Sequence, residues 1–169
     1  MEIKATLNKP YTDKQRVDFI VQYNHQLGYE IRETEIALEA WGYTQEELLE
    51  QAKQLKYQEA NSKANKFLQS GEALYEFEPD KHIEATDGNI AKMNAYLTGL
   101  QAGAFEEVTW VSKEDEILTL NAEDVTTILL GLGQVQADVW SNQFLVYKNA
   151  IDKATTVGEI EAIQVEYHN

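Results

Sequence analysis

Residues 74–84 read Leu-Tyr-Glu-Phe-Glu-Pro-Asp-Lys-His-Ile-Glu, and this stretch decides the fold class. Leu74 to Glu78 and His82 to Glu84 carry strand-like sequence, and Pro79-Asp80 separates them. Such runs bounded by turn residues read as strand, turn and returning strand. The hairpin expected here pairs Ala73–Glu78 with His82–Ala85. A second one follows downstream: Glu107–Val111, a charged turn over Lys113–Glu116, and the return Ile117–Leu120. Trp110 lies mid-strand beside Val108 and Val111, which makes it a core residue, whereas Trp41, next to Gly42, is expected to be less buried.

Helices surround these hairpins. Thr12 is a good N-cap, and Val17, Ile20, Asn24 and Leu27 follow at helical spacing until Gly28 supplies a left-handed stop. Residues 29–41 read equally as a short strand or as a further helical turn. Thr44 and Glu47 form a capping box for a long helix that ends at Gly71. Thr86-Asp87 opens a helix closed by Gly103. Asn121 and Asp124 open the longest one, which runs to about Ala154, and Thr156 with Glu159 opens a short last one. The class is therefore α+β: a helical N-terminal unit over residues 1–70 with a spacer helix, then a compact domain over 71–169 of two β-hairpins packed on two or three helices.

The stripe on the spacer helix is thin. Leu48 and Leu55, and later Ala60, Ala64 and Phe67, make a thin apolar stripe between polar flanks. A helix this polar needs packing from elsewhere to persist in water. These five residues are the candidate partner-binding residues, and the small side chains at Ala60 and Ala64 suit close approach by another helix. The occupant expected from this pattern is a second copy of the chain or a docked protein subunit.

Composition excludes several classes. There is no cysteine, which removes disulfides, thiol nucleophiles and Cys-ligated zinc. No apolar run reaches the ~18–20 residues of a membrane span, and the start, Met1–Leu7, lacks a signal-peptide core. Acidic residues number 29 against 14 basic ones, a net charge of −15. Such a field disfavours nucleic acid and anionic membranes as partners. It suits solubility by self-repulsion, or else mimicry of a nucleic-acid backbone. The acids are scattered in small groups such as Glu46-Glu47, Glu106-Glu107 and Glu114–Glu116 rather than in one long run.

The residues offer little for catalysis. No phosphate loop, zinc-protease motif, dinucleotide fingerprint or nucleophile elbow occurs. Gly131-Leu132-Gly133 lies inside an apolar helix and reads as a place where another helix approaches closely. Of the three histidines, His25 reads as a half-buried ring on the first helix and His168 as part of a mobile terminus. His82 has Asp80 and Glu84 two residues to either side, which in a strand puts all three on one face. Asp80, His82 and Glu84 are the best metal-like cluster, but an exposed charged edge is the simpler account of them. No metal, cofactor or catalytic residue is assigned.

The order of segments in the second half resembles a known pattern. Tyr75-Glu76-Phe77-Glu78 is followed by a helix with Ala95 and Leu100, then by Val108-Thr109-Trp110-Val111 with Lys113-Glu114-Asp115, then by Leu118 to Val125 and finally by Ile151 to Ile163. This is similar to a C-terminal domain of unknown function found in small phage and prophage tail-associated proteins. The resemblance covers about residues 60–165. It departs at Glu78-Pro79-Asp80, where many relatives carry an Asp directly after the turn. The family brings no catalytic residues. It implies a non-enzymatic tail-associated protein, either a tail-fibre assembly chaperone or a minor tail component. Its partner would be a tail-fibre or baseplate polypeptide, and its place the host bacterial cytoplasm during assembly or the virion tail. The competing reading is an acidic inhibitor of a host nuclease or defence complex. A metal-dependent hydrolase is a third, and rests on the Asp80–His82–Glu84 trio alone.

Overall fold

The computed structural model describes residues 1–169, and the α+β expectation holds in it. The chain order is β1 (Glu2–Asn8), α1 (Asp13–Ile20) continued by a π-helical stretch (Val21–Gln26), β2 (Glu30–Glu33), β3 (Ala37–Gly42), α2 (Gln45–Gln69), β4 (Leu74–Glu78), β5 (Lys81–Glu84), α3 (Asp87–Gln101), β6 (Val108–Val111), β7 (Ile117–Leu120), α4 (Ala122–Ala137) continued by a second π-helical stretch (Asp138–Gln143), α5 (Phe144–Lys153) and α6 (Val157–Glu161). No helix is long and apolar enough to cross a membrane.

Two units form. The first contains Met1–Gln54 with Thr155–Val157, the second Leu55–Ala154 with Gly158–Asn169. This moves the boundary from residue 70 into α2. It also corrects the expectation of a helical N-terminal unit, because the first unit is built on a three-stranded antiparallel sheet in the order β1-β3-β2. β3 is buried along Ala37, Leu38 and Ala40, which fit the centre of a sheet better than a helical turn. Phe19 on α1 packs on Leu38 and Ala40, with Leu7, Tyr23, Tyr29 and Ile31 around them. The Thr12 cap forms as a full box with Gln15, and Gly28 takes the left-handed conformation at φ 72. Trp41 is half-buried, with the Arg32 guanidinium 4.7 Å from its ring centroid.

The second unit keeps both expected hairpins, β4–β5 and β6–β7. Its core joins Ile83, Met93, Trp110, Leu118 and Leu120 to Val125, Ile128 and Leu132 of α4. The caps that open α3 and α4 are made as the sequence indicates, by Thr86 onto Asn89 and by Asn121 reciprocally with Asp124. The other end of α2 belongs here, and it corrects the partner-binding reading. Ala60 and Ala64 are fully buried and Phe67 nearly so, within the chain's own core, while Leu48 and Leu55 are exposed. The small-residue seam is filled from inside the molecule.

Part of that filling is the C-terminal strap. Val165 is buried, and its carbonyl accepts from Lys63 Nζ at 3.1 Å. The Tyr167 hydroxyl donates to the Ala60 carbonyl at 3.1 Å, and its ring stacks near Phe67. Burial pushes that phenol up to about 12. His168, expected to be mobile, is clipped by Gln143, which accepts from its N–H at 3.1 Å and donates to its carbonyl at 2.7 Å.

Gly131 is a point of close packing, but the neighbour is a strand rather than a helix. A Cβ there would lie 2.2 Å from the Tyr75 ring of β4. Gly131→Ala is expected to cost about 1–3 kcal/mol through overpacking. With Tyr75→Ala in the background the same change becomes neutral or stabilising by up to ~1 kcal/mol, because alanine is the better helix former. Denaturant titration of the four proteins checks this, and equal effects in both backgrounds would rule it out. Trp110→Ala should cost about 3–5 kcal/mol in the same assay, whereas a loss under ~1 kcal/mol would mean that the indole is not core.

Candidate functional site: a cleft beside an open strand edge

The two hairpins of the second unit meet at one end. The Lys113 N–H donates to the His82 carbonyl at 2.8 Å. Around that bond the turn of the second hairpin closes like a clasp. The Glu114 carboxylate accepts the His82 N–H at 2.9 Å and lies 2.8 Å from His82 Nδ1. The Lys113 ammonium donates to the Gly71 carbonyl at 2.7 Å and to Glu84 at 2.9 Å. Buried Ser112 organises the turn, because its hydroxyl oxygen accepts the N–H groups of Glu114 and Glu116, both at 3.2 Å. Asp115 takes a left-handed φ of 62 there, a conformation that Asp tolerates better than most residues.

A cleft of about 450 Å³ opens at this joint. One wall is β5 at Ile83 and Glu84, another is β6 and its turn from Thr109 to Asp115, and α3 contributes Asn89, Lys92 and Tyr96. Tyr96 meets the Trp110 indole edge-on at 6.2 Å between centroids, and Lys92 Nζ stands 5.1 Å from the indole centroid.

The β6 wall is an open edge, since β6 pairs only with β7. Ser112 N–H donates to the Glu116 carbonyl at the mouth of the hairpin. The register continues Val111 opposite Ile117, Trp110 opposite Leu118 and Thr109 opposite Thr119. Hydrogen-bonded pairs alternate along an antiparallel ladder. Trp110 and Val108 therefore bond to β7, while the N–H and C=O groups of Thr109 and Val111 point away from it, towards the cleft. On the solvent face, Val111 and Ile117 form an exposed apolar cross-strand pair, Ile117 at 74 % exposure.

The metal-like trio does not assemble. Asp80 sits in the hairpin turn at φ 62 rather than in β5, and its N–H donates to Glu76. His82 goes to Glu114, and Glu84 to Lys113. Alternation within a strand was the basis of the trio, and the turn breaks that alternation. No group of three His, Asp or Glu side chains is placed to hold a metal. His25 lies exposed on the first π-helical stretch rather than half-buried. Of the five candidate partner-binding residues, Leu48 and Leu55 remain at the surface, and none of the five lines the cleft. The open edge escaped the sequence reading because it depends on which strands pair. The exposed alternation Thr109, Val111 about Trp110 is its only local signal.

No protein-family model, curated protein or solved structure matches this chain.

The clasp carries a pH dependence. The His82 N–H, with a smaller contribution from the imidazole, holds the Glu114 carboxyl down at about 2. A folded value below the ordinary glutamate value of 4.5 means that the clasp contributes fully above that pH. Its contribution is lost as pH falls towards about 2. The Glu114 carboxyl carbon should titrate in this low range by NMR, and Glu114→Gln should flatten the acid dependence of stability there. A Glu114 midpoint at the ordinary glutamate value would show that the clasp does not form in solution.

Proposed function

We propose that this chain is a non-enzymatic, protein-binding component of a phage or prophage tail system, acting as a tail-fibre assembly chaperone or a minor tail component. The observation that carries protein binding is the open β6 edge, with its unpaired main-chain groups, beside the exposed pair Val111 and Ile117. Unpaired edge groups together with apolar side chains are what an added strand or a docked chain uses. The charged groups of the clasp are committed to one another, and the Ser112 hydroxyl is taken up by its own turn. That arrangement suits a rigid binding surface better than general acid–base chemistry.

The tail context rests on the resemblance of the segments between Tyr75 and Ile163. Those segments coincide with β4, α3, β6, the β7–α4 junction and the α5–α6 region. The acids do not favour mimicry of nucleic acid, because several are engaged by bases of the same chain: Glu33 with Lys9 and Arg16, Glu59 with Lys56 and Lys63, Glu84 with Lys113.

A native lysate containing the protein and a tail-fibre polypeptide encoded beside it tests the reading. Co-purification of the two, with a raised yield of soluble fibre, is the expected result. A fibre that folds and assembles equally well without this chain, and never co-elutes with it, would overturn the tail assignment.

A further inference from the structure

The fold treats its strand edges unequally. On β4, the Leu74 N–H is capped by the Asn169 side-chain oxygen at 3.0 Å, and the Asn169 amide returns a bond to the Glu72 carbonyl at 2.9 Å. The start of that edge is capped by Asn169. On β6, the outward groups of Thr109 and Val111 meet no protein partner. The free stretch has a fixed end, because the next outward N–H, that of Lys113, is taken by His82. The opening therefore offers a short ladder of two donors and two acceptors, enough for three or four residues of an incoming strand.

Charge selects what enters. Glu106 and Glu107 precede β6, and Glu114, Asp115 and Glu116 follow it. Glu106, Glu107 and Asp115 make no ion pair with this chain. If two copies paired antiparallel through β6, the acids before the strand in one copy would face the acids after it in the other. Like charges placed so oppose pairing, and the net charge of −15 adds long-range repulsion. A second copy is thus the occupant the edge is built against. Of the cations on the cleft walls, Lys113 is spent on Glu84 and the Gly71 carbonyl and Lys92 stands over the Trp110 ring, so the unpaired acids at the two ends of β6 are what attract a strand with basic ends. The exposed Val111–Ile117 pair provides an apolar neighbour for β-branched side chains at its centre.

We infer that the β6 edge is a strand-addition site for an extended segment of a partner polypeptide, β-branched at its centre and flanked by lysine or arginine. This deepens the protein-binding reading and rests on it, but not on the tail context.

The probe is the end-blocked peptide Lys-Lys-Val-Thr-Val-Lys-Lys, added to the full chain while amide exchange is followed by NMR. In the free protein, Thr109 and Val111 should exchange faster than Trp110, which is bonded to β7. Saturating peptide should slow Thr109 and Val111 by about tenfold or more. Raising salt from 0.05 M to 0.5 M should weaken binding several-fold, as the Debye length shrinks to a few Å. A version of the peptide N-methylated at both valines keeps the charge but loses the strand donors, and should not slow these amides. The site is overturned if the parent peptide binds without slowing Thr109 and Val111, or if the N-methylated peptide slows them equally. It is also overturned if these amides are already slow in the free protein in a concentration-dependent way, which would put a second copy on the edge. A peptide with glutamates in place of its lysines that binds as well would refute the charge argument. Protection by the parent peptide alongside failure of the fibre co-purification would keep the site and discard the tail assignment.

Discussion

A two-stranded hairpin buries too little to stand alone in water, and the second unit contains two of them. What allows both to persist is the shared core, where Ile83, Trp110, Leu118 and Leu120 pack with Met93 of α3 and with Val125, Ile128 and Leu132 of α4; the joint between Lys113 and His82 fixes how they meet. The single main-chain bond at 2.8 Å sets the two hairpins end to end. The Glu114 carboxylate and the Lys113 ammonium then hold that alignment from either flank. The cleft opens beside this joint, between β5 and β6. Ile83 from β5 and Trp110 from β6 both line the cleft and belong to the same core.

The same economy explains α2. Read along the sequence, Ala60, Ala64 and Phe67 look like a surface waiting for another chain, because a thin stripe buries little. Two elements distant in sequence remove that vacancy. The core of the second unit takes up Ala64 and Phe67, and the strap around Tyr167 reaches the Ala60 carbonyl. Small side chains permit close approach by any backbone. The pattern therefore marks a crowded place without saying whether the crowd belongs to the same molecule.

Local grammar was legible where it is carried by adjacent residues. The capping boxes at Thr44 and Asn121, the stops at Gly28, Gly71 and Gly103, and both hairpins follow from side chains three or four positions apart. β1 was missed although Ile3, Ala5 and Leu7 alternate, because its partner β3 lies about thirty residues further on, with no hairpin turn joining the two. Its pairing also shifts register between Ile3 and Ala5, which leaves Ile3 exposed and blurs the alternation. β3 was ambiguous because Ala37 and Leu38 are buried in succession, which breaks the alternation that Leu38, Ala40 and Gly42 otherwise carry. The candidate site was the least legible part. Its decisive property is which main-chain groups lack a partner, and main-chain groups are the same in every sequence.

An open strand edge needs an explanation beyond function, since exposed edges invite indiscriminate pairing. Here the protection and the proposed specificity come from one device. Acids on both sides of a short apolar strand act as gatekeepers against self-association. They do so by repulsion that depends on the sign of the incoming charge, whereas a bulge or a covering loop would bar every strand. Shortness contributes as well, because two outward residues give too few bonds for an uncharged stray segment to stay attached against the loss of its own freedom. A segment with basic ends meets the same two residues but gains attraction from Glu106, Glu107 and Asp115. The edge can thus stay bare in a crowded solution and still be selective, without any moving part. That selectivity costs the fold only a few unpaired surface acids, which a chain carrying 29 of them easily accommodates.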